Sequence, residues 1–103
     1  MESDYVRICP LEDVPAGEAR GFSLEGYDIA VFNTGDEIYA IENRCPHMGA
    51  ELSEGELVER TVCCHDHGWT IDLETGEVMD READGVATFP VQVRDGAIWV
   101  LLA

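Results

Sequence analysis

The chain has 103 residues, and its 22 acidic side chains against six basic ones leave a formal net charge of −16. That length allows one domain, residues 1–103, and no second catalytic one. So acidic a surface speaks against nucleic acid or anionic membrane as a partner.

All six basic residues are arginines, and lysine is absent. Two readings fit this equally: steering toward a basic face on a protein partner, or a surface made only for solubility or for a salty cytoplasm. The longest apolar runs, Ile29–Phe32 and Ile98–Ala103, fall far short of the roughly 20 residues that cross a bilayer. The start, Met1-Glu2-Ser3-Asp4, has no basic and apolar leader pattern, so a cytoplasmic monomer is expected. Thiols stay reduced in that compartment, and the four cysteines read first as metal ligands and free thiols.

In chain order, short alternating or β-branched runs predict strands at Tyr5–Cys9, Ala19–Leu24, Asp28–Asn33, Glu37–Glu42, Glu59–Cys63, Trp69–Asp72, Ala87–Arg94 and Ala97–Leu102. Leu11 to Pro15 suits one short helical turn, and nothing sustains a helical period over ten residues. Glu25-Gly26, Thr34-Gly35-Asp36, Thr75-Gly76 and Asp95-Gly96 are hairpin turn signals. The expected fold is all-β: an antiparallel base from residues ~4–42 and ~73–103, with a subdomain of about 43–72 inserted between.

That inserted stretch carries all three histidines and three of the four cysteines. Cys45-Pro46-His47 and Cys64-His65-Asp66-His67 lie in loop-like segments, and sixteen residues separate His47 from Cys64. Each loop offers one thiolate and one imidazole. A lone buried Cys or His is usually core packing; two such pairs in glycine-bearing loops point to a metal.

The pattern C-x-H…C-x-x-H resembles that of the Rieske family. Gly49, Leu52-Ser53 and Gly55 match the flanks of the first loop. Val62, Gly68-Trp69, Asp72 and Thr75-Gly76-Glu77 match those of the second loop and the hairpin after it. The resemblance implies the Rieske (ISP-like) fold, a β-sandwich base with an inserted cluster-binding subdomain. It also implies one [2Fe–2S] cluster, with Cys45 and Cys64 on one iron and His47 and His67 on the other. Two thiolates leave the oxidised cluster neutral where four would leave it anionic, so its potential falls in the Rieske range of about −150 to +300 mV. Two Cys and two His also suit a zinc site, although zinc sites more often show C-x₂-C spacing.

Departures from the family refine the expectation. High-potential respiratory members carry a loop-bridging disulfide and Ser and Tyr hydroxyls at the cluster sulfurs; here those positions hold Ala50, Asp66, Trp69 and Ile71. Fewer donors place the potential near the lower end of the range. Cys63 is expected to be a buried core thiol, His65 an exposed loop residue, and Met48, Leu52 and Trp69 apolar cover. Arg44 and Asp66 are charges beside the ligands.

A Rieske oxygenase would need a second iron held by two His and a carboxylate, and only His65 remains for it. The chain therefore reads as an electron carrier and not an enzyme, a ferredoxin between a flavoprotein reductase and a terminal oxygenase. The alternatives are the small subunit of an assimilatory nitrite reductase, partnered by its large subunit, and a zinc-binding or redox-sensing module.

Overall fold

The computed structural model describes residues 5–45, 51–64, 68–80, 82–83 and 85–102. Ten strands follow one another: β1 (Tyr5–Pro10), β2 (Ala19–Leu24), β3 (Tyr27–Asn33), β4 (Ile38–Glu42), β5 (Glu56–Val58), β6 (Thr61–Cys63), β7 (Thr70–Asp72), β8 (Thr88–Phe89), β9 (Val91–Arg94) and β10 (Ala97–Leu101). Two 3-10 turns, Leu11–Asp13 and Leu52–Glu54, complete the set among the described residues. The chain is all-β, with antiparallel sheets in the orders β1-β10-β9, β2-β3-β4-β8 and β5-β6-β7.

Hairpin turns set the registers. Asp95 and Gly96, at φ of 53° and 73°, form the two-residue link of β9 to β10, whose rungs run from Arg94↔Ala97 to Val91↔Val100. Two successive positive φ values match the right-handed twist of the strands, and an Asp-Gly pair adopts them at low cost.

The expected strand Ala87–Arg94 is two strands in different sheets. Pro90 has no N–H to give a ladder, so β8 ends on β4 at Phe89↔Ala40 and β9 begins on β10. β5 was absent from the expectation, since three residues after Gly55 are too few to show a period.

Central β3 is buried on both faces, which is why Ile29–Phe32 reads as a continuous apolar run. Alternation sends Ile29 and Val31 toward Cys9, Val14, Ile98 and Val100 of the base. It sends Ala30 and Phe32 the other way, to Ile41, Leu52, Val62, Ile71 and Leu73. Full burial of each larger side chain contributes about 1.5–3 kcal/mol, so both faces matter to stability.

The third sheet, β5-β6-β7, lies between β4 and β8 in the sequence. The chain rejoins the central sheet only at Thr88. Residues 73–79 still bond to the third sheet: Leu73 N donates to Arg60 O at 3.0 Å and Met79 N to Thr70 O at 2.8 Å. Gly76, at φ 79°, pins this segment to the next. Its carbonyl accepts from Val86 N at 2.8 Å, and a Cβ there would strike the Val86 carbonyl oxygen.

Candidate metal centre

Cys45 stands three residues past β4, beyond Asn43, whose N–H donates to Asp28 O at 2.9 Å and so keeps the chain against the end of β3. Cys64 directly follows β6. Its N–H donates to Trp69 O at 2.7 Å and its carbonyl accepts from Gly68 N at 2.9 Å, tying the two ends of the second loop together. Gly68, at φ 74°, provides the left-handed turn this closure requires.

Both thiols are 2% exposed, and both belong to one buried cluster with Ala30, Phe32, Ile41, Leu52, Val62, Ile71 and Leu73. Trp69 packs against that cluster from the side. Two separate loops thus deliver two soft sulfur donors to one water-poor place. This suits an iron–sulfur cluster, which binds through thiolates and whose potential depends on solvent exclusion.

His47 and His67, together with Pro46, Met48, Gly49, Ala50, His65 and Asp66, lie outside the described residues. Among the described residues no gathering of three or more His, Cys, Asp or Glu side chains could hold a metal ion, and of the four candidate ligands Cys45 and Cys64 are described.

The hairpin after the second loop is held by Asp72, a carboxylate only 7% exposed. Its Oδ1 accepts from Glu74 N at 2.8 Å and lies 3.8 Å from Arg60 Nε; Arg60 Nη1 reaches Glu74 Oε1 at 3.1 Å. Arg60 and Glu74 are more than half exposed, so that outer pair contributes little. The bond from backbone to buried Asp72 is the ordering interaction.

Three supporting positions compare with expectation. Leu52 is fully buried in the cluster that also holds both cysteines, as apolar cover requires. Cys63 is a correction: it is half-buried and belongs to neither core. Its rungs are Glu56 and Thr70, because a three-stranded sheet packed on one side buries Val62 and turns its neighbour outward. Asn43 was missed. It is a polar side chain 7% exposed, bonded to Ser53 and Glu51; an Asn two residues before a ligand-type Cys was the one available signal.

An all-β scaffold with two cysteine loops converging over a central sheet defines an iron–sulfur protein of the Rieske class. The family model described as the Rieske [2Fe-2S] domain matches residues 4–90, and the chain belongs to that family. Its cofactor is accordingly one Rieske-type [2Fe–2S] cluster.

The chain is 43% identical over 97 residues to the 3-phenylpropionate/cinnamic acid dioxygenase ferredoxin subunit of Escherichia coli (strain K12), covering 92% of this chain and 91% of that protein. Among solved structures it is similar to the ferredoxin of carbazole 1,9a-dioxygenase from Nocardioides aromaticivorans IC177. There the TM-score is 0.87 and the identity 29%, over 95% of this chain and 97% of that one. A complex of reduced oxygenase and oxidised ferredoxin in carbazole 1,9a-dioxygenase matches with a TM-score of 0.86 and 29% identity, over 97% of this chain and 94% of that chain. Among the described residues no helix is long and apolar enough to cross a membrane.

Proposed function

We propose that the chain is a low-potential ferredoxin that carries single electrons from a flavoprotein reductase to a terminal dioxygenase, its cluster held by Cys45 and Cys64 on one iron and His47 and His67 on the other. The observation that carries this reading is the convergence of Cys45 and Cys64, from two loops, in one buried apolar cluster. The bound cluster supplies a site that takes up and gives back one electron. Around it, Leu52 and Phe32 exclude water on the side of the central sheet, and Trp69 covers the flank. The strands that carry the loops hold them in place, which limits rearrangement as charge changes.

Ile71 is fully buried and, like Trp69, has no hydroxyl to offer a cluster sulfur. With fewer donors, the reduced form is stabilised less and the potential sits low. This suits delivery to an oxygenase and disfavours quinol oxidation. The similar carbazole dioxygenase ferredoxin is seen with its oxygenase, which supports an oxygenase as the electron acceptor here. The −16 charge favours a partner with a basic docking face and a small, transient interface, below ~1,200 Å². The carrier works as a cytoplasmic monomer and is not itself a catalyst.

The test is the purified iron-loaded protein. The expected result is the Rieske electron spin resonance signature on reduction and a midpoint within ~200 mV of the lower bound of about −150 mV. Cys45→Ser and Cys64→Ser should each abolish the signal. A colourless, zinc-loaded protein, or a midpoint above that window, overturns the reading.

A further inference from the structure

We propose that Asn43 is a positioning residue for the metal centre: its side-chain amide clasps the two ends of the first ligand loop to each other and against β2. The proposal rests on the assignment of Cys45 as a ligand and goes beyond it by saying what fixes that ligand's loop.

Asn43 directly follows β4, and Ser53 lies in the 3-10 turn Leu52–Glu54. Between these two points the Asn43 amide uses both of its ends. Oδ1 accepts from Ser53 N at 2.9 Å, and Nδ2 donates to Glu51 Oε1 at 3.3 Å. The backbone N–H of Ser53 is a donor only, so the orientation of the amide follows from its partner. The Asn43 main chain is tied down independently, through its N–H to Asp28 O at 2.9 Å.

Two observations show that the amide is built in and not a surface adornment. Asn43 is 7% exposed, and a buried amide without partners costs about 1–3 kcal/mol, so its bonds decide whether the loop closes. Gly21 of β2 leaves the space the amide occupies. A Cβ at that position would lie 2.6 Å from Asn43 Nδ2 and 3.0 Å from Ser53 Oγ. β2 thus presses its bare backbone against both ends of the clasp.

The clasp acts on the centre through two short lever arms. Cys45 is two residues beyond Asn43. Leu52, adjacent to Ser53, is fully buried in the cluster that holds Cys45 and Cys64. An N–H at one end and a carboxylate at the other call for a side chain with one acceptor and one donor on a short stem, which is asparagine. Aspartate would keep the Ser53 bond and set a second carboxylate against Glu51. Leucine would leave the part-buried Ser53 N–H without its Asn43 partner.

The experiment uses the iron-loaded protein and three variants: Asn43→Asp, the double variant Asn43→Asp with Glu51→Gln, and Gly21→Ala. Iron release to a chelator is followed by loss of visible absorbance, and the reduced-state electron spin resonance spectrum is recorded alongside the thermal midpoint. Asn43→Asp is expected to release iron about tenfold faster and to broaden the resonance lines, as loss of outer support does at metal sites. The double variant exchanges donor and acceptor: the amide introduced at position 51 donates to the carboxylate introduced at position 43, and release should return to within about twofold of the wild type. Gly21→Ala, which displaces the amide from the opposite strand, should speed release in the same direction even where Asn43→Asp cannot be loaded.

Wild-type release in Asn43→Asp or in Gly21→Ala overturns the clasp, as does a double variant no slower than the single. A fall in thermal midpoint with unchanged release and unchanged resonance also overturns it, since that is a merely structural role. The ligand assignment fails separately, through a Cys64→Ser protein that keeps a full cluster.

Discussion

On one face of the central sheet, Ile29, Val31 and Ala40 meet Ile98, Val100 and Val14 across a sandwich closed by β1-β10-β9. On the other face, Ala30, Phe32 and Ile41 meet Leu52, Val62, Ile71 and Leu73, with Cys45 and Cys64 among them. The residues are of similar kind on both sides, and each side contains buried thiol. Their settings differ. Cys9, in the base, lies within strand β1 and faces apolar neighbours. Cys45 and Cys64 sit on loops whose shape is set by backbone bonds to Asp28 and Trp69. A buried thiol is a core residue when a strand presents it and a ligand candidate when two loops present a pair.

The largest effect that sharpens this contrast comes from truncating each core. Ile98→Ala and Leu52→Ala remove fully buried side chains, and each should cost about 2–5 kcal/mol of stability in denaturant titrations. Below the unfolding transition, Ile98→Ala should hold its cluster as the wild type does, whereas Leu52→Ala should lose iron to a chelator faster. Equal iron release in the two variants would remove the distinction between the faces.

A smaller effect is expected at Gly76. Its φ of 79° and the approach of the Val86 carbonyl make Gly76→Ala strained on both counts, at a cost of about 1–3 kcal/mol. The change should lower the thermal midpoint. A midpoint equal to that of the wild type would show that the contact between Gly76 and Val86 can shift without cost.

The smallest effect is one of pH. Burial, and then the charge of Asp13, raise the pKa of Cys9 above its ordinary value against the opposing charges of Arg20 and Arg7. The unfolded chain then ionises Cys9 at lower pH than the folded one, so the folded state holds more protons in the interval between. Stability from this thiol is complete below the unfolded pKa and is lost as pH rises through the folded one. Tyr39, raised by burial and then by the Glu37 side chain, adds to the same alkaline fall. The thermal midpoint should decline through this range. Cys9→Ala should flatten the thiol part of the decline, and an unchanged slope would count against the buried setting of Cys9.

The strands of the base were legible because alternation and paired turn residues are local. Ala19–Leu24 has the same bounds in the sequence and in the structure, and Asp95-Gly96 announced its hairpin. Pro90 was visible too, but its effect depends on two sheets being available to receive the two halves of one run. β5 and the outward face of Cys63 depend on which side of a short sheet is covered, which is a tertiary fact. Cys45 and Cys64 stood out in the sequence by their spacing to His47 and His67. Asn43 did not, since its partners Glu51 and Ser53 lie eight and ten residues away and look like ordinary loop residues.

The segment that contains Cys45 and Cys64 departs after β4 and returns at β8, and these strands are neighbours in the central sheet. Glu42 and Ala87 close the gap: Glu42 N donates to Ala87 O at 2.8 Å, and Ala87 N donates to Glu42 Oε1 at 3.3 Å. Between them the chain leaves the sandwich and returns to it, held on the way by Asn43 N–H on Asp28 O and by Leu52 packed in one cluster with Ala30 and Phe32. Lengthening a flexible loop beyond such a rung costs only about 0.6 kcal/mol per doubling. Added length at an exposed turn of this segment is therefore tolerated while the rung and the sandwich registers beneath it stay as they are, whereas its buried residues are bound to the central sheet by the core they share.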